Sequence, residues 1–292
     1  MYQLYKQYTT VWNGLLAGGK NFLKENPGVK AFVLGMSGGI DSTLTAAVAR
    51  RIADETGIKV IGTCMPIVSN TPEETARANW AGIAFCDEFS TKQMHVEWET
   101  IATSFEPMAM ANKALGKEVT FEEKVRLGNI KARLRMAYLY GQAAKANGIV
   151  LSTDNLTELM LGFWTLHGDV GDFGLIQELW KTEVYGLAEW LINNVYTDGD
   201  ALNALAAVLE AKPTDGLGVS NSDLDQLLPG FDGADWRKGY QAVDEVLIDY
   251  LGGERKWSAE HPVIQRHLNT EFKRNNPVSL KRAYLLWNWN AI

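Results

Sequence analysis

The chain has 292 residues, 46% of them hydrophobic and 22% charged, a composition that builds a buried core and excludes general disorder. Its formal net charge of −7, with no block of Lys and Arg, excludes the basic footprint of a nucleic-acid binder and favours a small molecule held at a local site. No apolar run approaches the ~20 residues of a membrane helix and no secretory segment is seen at the N-terminus, so a soluble, cytoplasmic protein without membrane contact is expected.

In chain order, the first strong signal is the apolar run from Val29 to Met36, a predicted strand. It ends in Ser37-Gly38-Gly39-Ile40-Asp41-Ser42 and passes at once into the Ala-rich helical stretch TLTAAVA. Glycines let a backbone approach an anion closely, the first helical amides point at it, and the helix dipole adds partial positive charge. Ser37 and Ser42 add hydroxyl donors, so the segment reads as a phosphate loop. It lacks the lysine of a Walker A loop, which excludes ordinary P-loop transfer of a terminal phosphate.

A second strand is predicted at Lys59 to Met65. Thr71, Pro72 and Glu74 then supply the N-cap, first-turn proline and capping-box acid of a helix through TARANWAGIAF. Met108 to Thr120 is polar and irregular, a candidate closing loop. One long helix is predicted from Phe121 to Ala146, with Val125, Ile130, Leu134, Ala137 and Leu139 set among Arg126, Lys131, Arg133 and Arg135, and a stop at Gly148. Ile149 to Ser152 reads as a third strand.

Beyond about Thr197 the pattern loosens into Gly-, Asp- and Pro-containing segments, expected to form loops and helices at the sheet's edge. Lys212 to Asp235 is a second candidate closing loop. Cys64 and Cys86 have neither a CxxC partner nor a histidine at metal-ligand spacing and are expected to be buried thiols. Strands alternating with long helices, without repeat or linker, predict an α/β protein with a doubly wound parallel sheet flanked by helices. A single domain over residues 1–292 is expected.

SGGIDS matches the pyrophosphate loop of the N-type ATP pyrophosphatases (adenine nucleotide alpha hydrolase-like), which cut ATP between its α and β phosphates. Within that superfamily, five stretches resemble, in order and spacing, signatures of the ammonia-dependent NAD synthetases. They are GNIKARLRMAYLY from Gly128, STDNLTELMLGFWTLHGD from Ser152, WKTEVYGLA from Trp180, KPT at 212 and TEFKR at 270. The resemblance spans about Ala31 to Arg274.

The resemblance implies an ATP site made of Gly35, Ser37, Gly38, Gly39, Asp41, Ser42, Thr153, Lys181 and Thr214, with Asp41 and Lys181 catalytic. It also implies Mg2+ on Asp41 and Glu158, and deamido-NAD on Arg133, Asp172 and Lys273. The implied reaction adenylates the nicotinate carboxylate of deamido-NAD with ATP and lets ammonia displace AMP, giving NAD, AMP and pyrophosphate. No glutaminase domain is recognised, so free ammonia is the expected nitrogen donor. A homodimer is implied, with the Phe121 to Ala146 helix as an interface element.

Read from the residues alone, Glu158 would be a helix acid, Thr153 a helix cap, Lys181 a surface lysine and Thr214 part of a turn. The alternatives are another carboxylate-activating synthetase with the same loop, or a nucleotide-binding module without catalysis on the same fold. Two departures stand out: Thr165-Leu166-His167-Gly168-Asp169 occupies the place of the family's TKYGD, and Phe272-Lys273 that of a His-Lys pair. Two dinucleotide contacts are therefore expected to be missing.

Overall fold

Five strands form one sheet: β1 (Ala31–Gly35), β2 (Lys59–Cys64), β3 (Glu88–Thr91), β4 (Gly148–Ser152) and β5 (Phe173–Gly174). Their order is β3-β2-β1-β4-β5, and every neighbouring pair is parallel. Ala31 stands opposite Lys59 on one side and Gly148 on the other. The computed structural model describes residues 4, 7–67, 70–213, 224–228, 231, 235–254 and 256–277.

The helices are α1 (Tyr8–Glu25), α2 (Ile40–Thr56), α3 (Pro72–Phe85), α4 (His95–Phe105), α5 (Pro107–Ala114), α6 (Phe121–Ala146) and α7 (Leu156–Leu161), followed by α8 (Lys181–Asn194), α9 (Gly199–Glu210), α10 (Leu224–Leu227), α11 (Trp236–Leu251), α12 (Pro262–Asn269) and α13 (Glu271–Arg274). The period-two alternation of β1 sorts them into two layers. Phe32 and Leu34 pack with Trp12 of α1, Leu44 of α2 and Leu187 of α8. Ala31 and Val33 pack on the opposite face with Trp98 of α4 and Ile130 and Leu139 of α6. The strand order reverses at β1, so β1 and β4 diverge at their C-terminal ends into the crevice where open α/β sheets hold ligands.

Local signals explain the helix ends nearest that crevice. Thr71 Oγ1 accepts from the Glu74 amide at 3.1 Å while the Glu74 carboxylate accepts from the Thr71 amide at 3.1 Å, a complete capping box with Pro72 in the first turn. Thr120 and Glu123 repeat the arrangement at the start of α6. Its end differs from the expected stop. Asn147, at φ 47, makes the left-handed cap, and Gly148 instead opens β4, where a Cβ would stand 2.8 Å from the Ala31 carbonyl.

Two other expectations change. Part of Met108 to Thr120 is helical, because Pro107 opens α5 and carries the chain to Ala114. The C-terminal third joins the main core instead of decorating an edge, since Leu205 and Val208 of α9 and Val243 and Leu247 of α11 are buried with α1, α2 and α8. Of the Lys212 to Asp235 segment, residues 214–223, 229–230 and 232–234 lie outside the described residues. Cys64 is buried and Cys86 half-buried; burial pushes their thiols up to about 11 and about 12. Among the described residues, no helix is long and apolar enough to cross a membrane.

Candidate active site

The loop after β1 holds itself in shape through its hydroxyls. Ser37 Oγ accepts from the Gly39 amide at 3.2 Å, Ser42 Oγ accepts from the Ser37 amide at 3.3 Å, and Thr43 Oγ1 donates to the Gly39 carbonyl at 2.9 Å. Gly38 turns the chain at φ 81, and a Cβ there would lie 2.1 Å from the Glu74 carbonyl of α3, so only glycine fits. α2 then begins with its N-terminal amides facing the crevice end of the sheet, a ready anion site.

Three charged side chains from separate elements meet beside this loop. Lys181, the first residue of α8, is buried, and its Nζ donates to Asp41 Oδ2 at 2.5 Å and to Glu158 Oε1 at 2.9 Å. Burial pulls its pKa down, but the Asp41 and Glu158 carboxylates outweigh burial and hold it well above the ordinary lysine value. Asn155 locks the group from below. Its Nδ2 donates to Asp41 Oδ1 at 2.8 Å, while its Oδ1 accepts from the Glu158 amide at 3.1 Å, capping α7.

α8 begins after Trp180, whose indole has no hydrogen-bond acceptor for the helix's first amides. Other elements supply them. The Lys181 amide donates to Thr157 Oγ1 at 2.8 Å, and the Thr182 amide and hydroxyl donate to Asp244 Oδ2 at 2.9 and 2.6 Å. Thr157 Oγ1 donates in turn to Asp244 Oδ1 at 2.5 Å. Asp244 of α11 thus ties α7 and α8 together, and its burial raises its carboxyl to about 6 against the pull of those bonds and of Lys181.

Asp41, Glu158 and Lys181 line a cavity of about 410 Å³. Asn129, Arg135, Asp154, Trp164, Asp169 and Lys273 line it as well. Asp154 is buried, accepts from Ser152 Oγ at 3.1 Å, and burial drives its pKa well above the carboxylate range, helped by Asp169 and Glu158. Burial also lifts Asp169 to about 6, although it accepts from the Thr165 amide at 2.7 Å and faces Lys273 and Arg135.

Of the residues singled out by sequence, Gly35, Ser37, Gly38, Gly39, Asp41, Thr153, Glu158, Lys181 and Lys273 line this cavity. Ser42 is buried behind the loop it braces. Thr214 lies outside the described residues. Arg133 and Asp172 are exposed and lie outside the cavity lining: Arg133 Nε donates to the Leu166 carbonyl at 3.2 Å, and Asp172 Oδ1 accepts from the Tyr140 hydroxyl at 2.5 Å. Lys273 Nζ donates to the Gly162 and Trp164 carbonyls at 2.6 and 2.5 Å.

Several cavity residues escaped the sequence reading: Arg77, Arg135, Asp154, Asp169 and Tyr240. Arg135 had a signal, since it shares the face of α6 that carries Ala132, Met136 and Leu139, whereas Arg133 does not. The others had none beyond lying in or near matched stretches.

Among the described residues, no cluster of three or more His, Cys, Asp or Glu side chains is placed to hold a metal. Asp41 and Glu158 nevertheless converge on one ammonium, and two hard carboxylates at that point suit a magnesium ion that takes its remaining oxygens from phosphate and water.

The family profile described as NAD synthase matches residues 12–277. A curated NH(3)-dependent NAD(+) synthetase of Wolinella succinogenes is 34% identical over 241 residues, covering 82% of this chain and 79% of the relative. One from Thermoplasma acidophilum is 29% identical over 264 residues, covering 89% and 95%. The solved structure of an NMN synthetase from Francisella tularensis superposes with a TM-score of 0.72 at 25% identity, covering 95% of this chain and 99% of that one.

Proposed function

This chain belongs to the NAD synthase family, and from that premise we propose that it adenylates the carboxylate of deamido-NAD with ATP and amidates it with ammonia, yielding NAD, AMP and pyrophosphate. The observation that carries this reading is the meeting of Asp41, Glu158 and Lys181 beside a lysine-free phosphate loop, in a cavity that Arg135 and Lys273 also line. Ammonia as the nitrogen donor is supported by the names of the curated relatives.

The loop amides and Ser37 bind the triphosphate, and Lys181, kept protonated, offsets charge as the acceptor carboxylate adds to the α-phosphorus. Asp41 and Glu158 would hold a magnesium ion, which when bound supplies further positive charge to the phosphates. In the second step, the carboxylate of Asp169, lifted by burial only to about 6 and so still largely ionised near neutral pH, gives the proton of the attacking nitrogen a place to go. Thr153 and Thr214 complete the ATP site on this reading. The enzyme works in the cytoplasm, and the exposed apolar side chains Phe105, Met108, Leu115 and Phe121 near the start of α6 support a homodimer.

A specific observation favours a second acceptor. The three groups assigned to the dinucleotide are engaged within the chain, Arg133 by Leu166, Asp172 by Tyr140 and Lys273 by two carbonyls. Phe272, in place of a histidine, is 54% exposed. An acceptor that ends at its first phosphate needs fewer of those contacts. On this reading the enzyme converts nicotinate mononucleotide to nicotinamide mononucleotide, the product named for the Francisella protein.

The deciding experiment offers deamido-NAD, nicotinate mononucleotide and unrelated carboxylates with ATP, magnesium and ammonia, and measures AMP and pyrophosphate. Equal yields of AMP, pyrophosphate and amide support the reaction, and the ratio of kcat/KM for the two nucleotides identifies the acceptor. Stoichiometric ADP, or a preference for an unrelated carboxylate, would end the reading.

A further inference from the structure

Arg77 has no place in the site as assembled so far. It sits in the second turn of α3, half-buried, and lines the cavity beside Ser37, Gly38 and Gly39. Its Nε donates to the Gly38 carbonyl at 2.9 Å. The close approach of the Glu74 backbone to Gly38 presses α3 against the back of the loop, and this contact carries Arg77 to the loop's edge.

Arg77 takes part in no ion pair among the described residues. Four other cations that line the cavity are committed. Lys181 is held by two carboxylates, Arg135 by the Met65 carbonyl and Asn70, Lys273 by two carbonyls, and Arg266 by the Leu161 carbonyl. With Nε engaged, the remaining N–H donors of the Arg77 guanidinium keep the planar fork that fits two phosphate oxygens.

We propose that Arg77 is a ligand of the departing pyrophosphate, tied to the loop through Gly38 so that its charge sits where the leaving group forms. This rests on the adenylation reading given above. As an acceptor carboxylate oxygen bonds to the α-phosphorus, the bond from that phosphorus to the oxygen bridging toward the β-phosphate breaks, and its electron pair leaves on pyrophosphate. Charge therefore grows on the β side of the loop, where the sequence SGGIDS carries no cation of its own. Arg77 supplies from α3 what a Walker A loop supplies from its own lysine.

The test uses the full chain with Arg77→Gln and Arg77→Lys, following pyrophosphate release at saturating acceptor, inhibition by added pyrophosphate, and the KM of each substrate. For the loss of one charge-assisted contact, Arg77→Gln should slow release at least about tenfold and weaken pyrophosphate inhibition by a similar factor, with the acceptor KM within about twofold of wild type. Arg77→Lys, which keeps charge without the fork, should fall between the two. Unchanged pyrophosphate inhibition in the glutamine variant would overturn the assignment. So would a lysine variant indistinguishable from the glutamine one, since the loss would then belong to the Gly38 bond. A wild-type enzyme that releases no pyrophosphate removes the adenylation reading and this inference with it, whereas an active wild type with unaffected variants removes the inference alone.

Discussion

Around the Ser37–Ser42 loop, each charged or polar side chain singled out from the sequence sits within a few residues of a strand's C-terminus or a helix's first turn: Ser37 to Ser42 after β1, Thr153 to Glu158 after β4, and Lys181 opening α8. Elsewhere in the cavity the side chains come from the middle of α6, from the turn after α7 and from α13 near the far end of the described chain. The first set is pre-paired charge on charge, Lys181 against Asp41 and Glu158. The second is mostly cation on carbonyl, with Arg135 and Lys273 spending donors on backbone oxygens. The first set is built on local junctions, whereas the second is assembled by tertiary packing.

The largest expected effect tests the paired set. Lys181→Ala leaves Asp41 and Glu158 facing each other without their cation, so adenylation should fall on the order of a hundred- to a thousandfold. Thermal stability should fall as well and recover in part when magnesium is added, because a divalent ion can replace the lost charge. Pyrophosphate release and melting curves with and without magnesium check both. A variant within about tenfold of wild-type activity would mean that the pairing is structural only.

A smaller effect concerns the tie that seats Lys181. The folded protein holds the Asp244 carboxyl at about 6, above its unfolded value of 3.8, so the fold favours the protonated form. The stability gained from that proton is complete below the unfolded value and is lost as pH rises through about 6, an amount on the order of 3 kcal/mol. Between pH 4 and pH 7, wild type should therefore lose stability relative to Asp244→Asn, measured by denaturant unfolding at each pH. A difference that is flat or runs the other way contradicts the raised value.

The smallest effect falls at Arg133. Arg133→Ala should raise the KM for deamido-NAD by roughly tenfold, the equivalent of one charged contact, and leave the KM for ATP nearly unchanged. If nicotinate mononucleotide is the acceptor, its KM should not move, which would sharpen the contrast. A loss of ATP affinity instead would place Arg133 with the phosphates and erase the contrast.

Signals contained within a few consecutive residues were legible in the sequence. The capping box at Thr71, the bounds of α6, the three central strands and the loop from Ser37 to Ser42 all depend on local propensity and short-range hydrogen bonds. β3 and β5 were missed because one is a short, largely exposed edge and the other spans two residues, leaving no apolar period to read. α9 and α11 were underrated because the Gly- and Pro-containing segments around them hide buried faces that only α1, α2 and α8 complete.

By itself, then, the sequence determined the α/β class, the phosphate loop and, through a resemblance carried by ordered motifs, the NAD synthase family. Only the tertiary structure decided which charges are buried and what meets them. Asp244 in DEVLIDYL and Arg77 in TARANW read as solvated helix residues, and nothing near them in the chain announces Thr157, Thr182 or the Gly38 carbonyl. The reason is physical: a buried charge is tolerated only where partners converge on it, and those partners are brought by packing across long sequence separations, which no local pattern encodes.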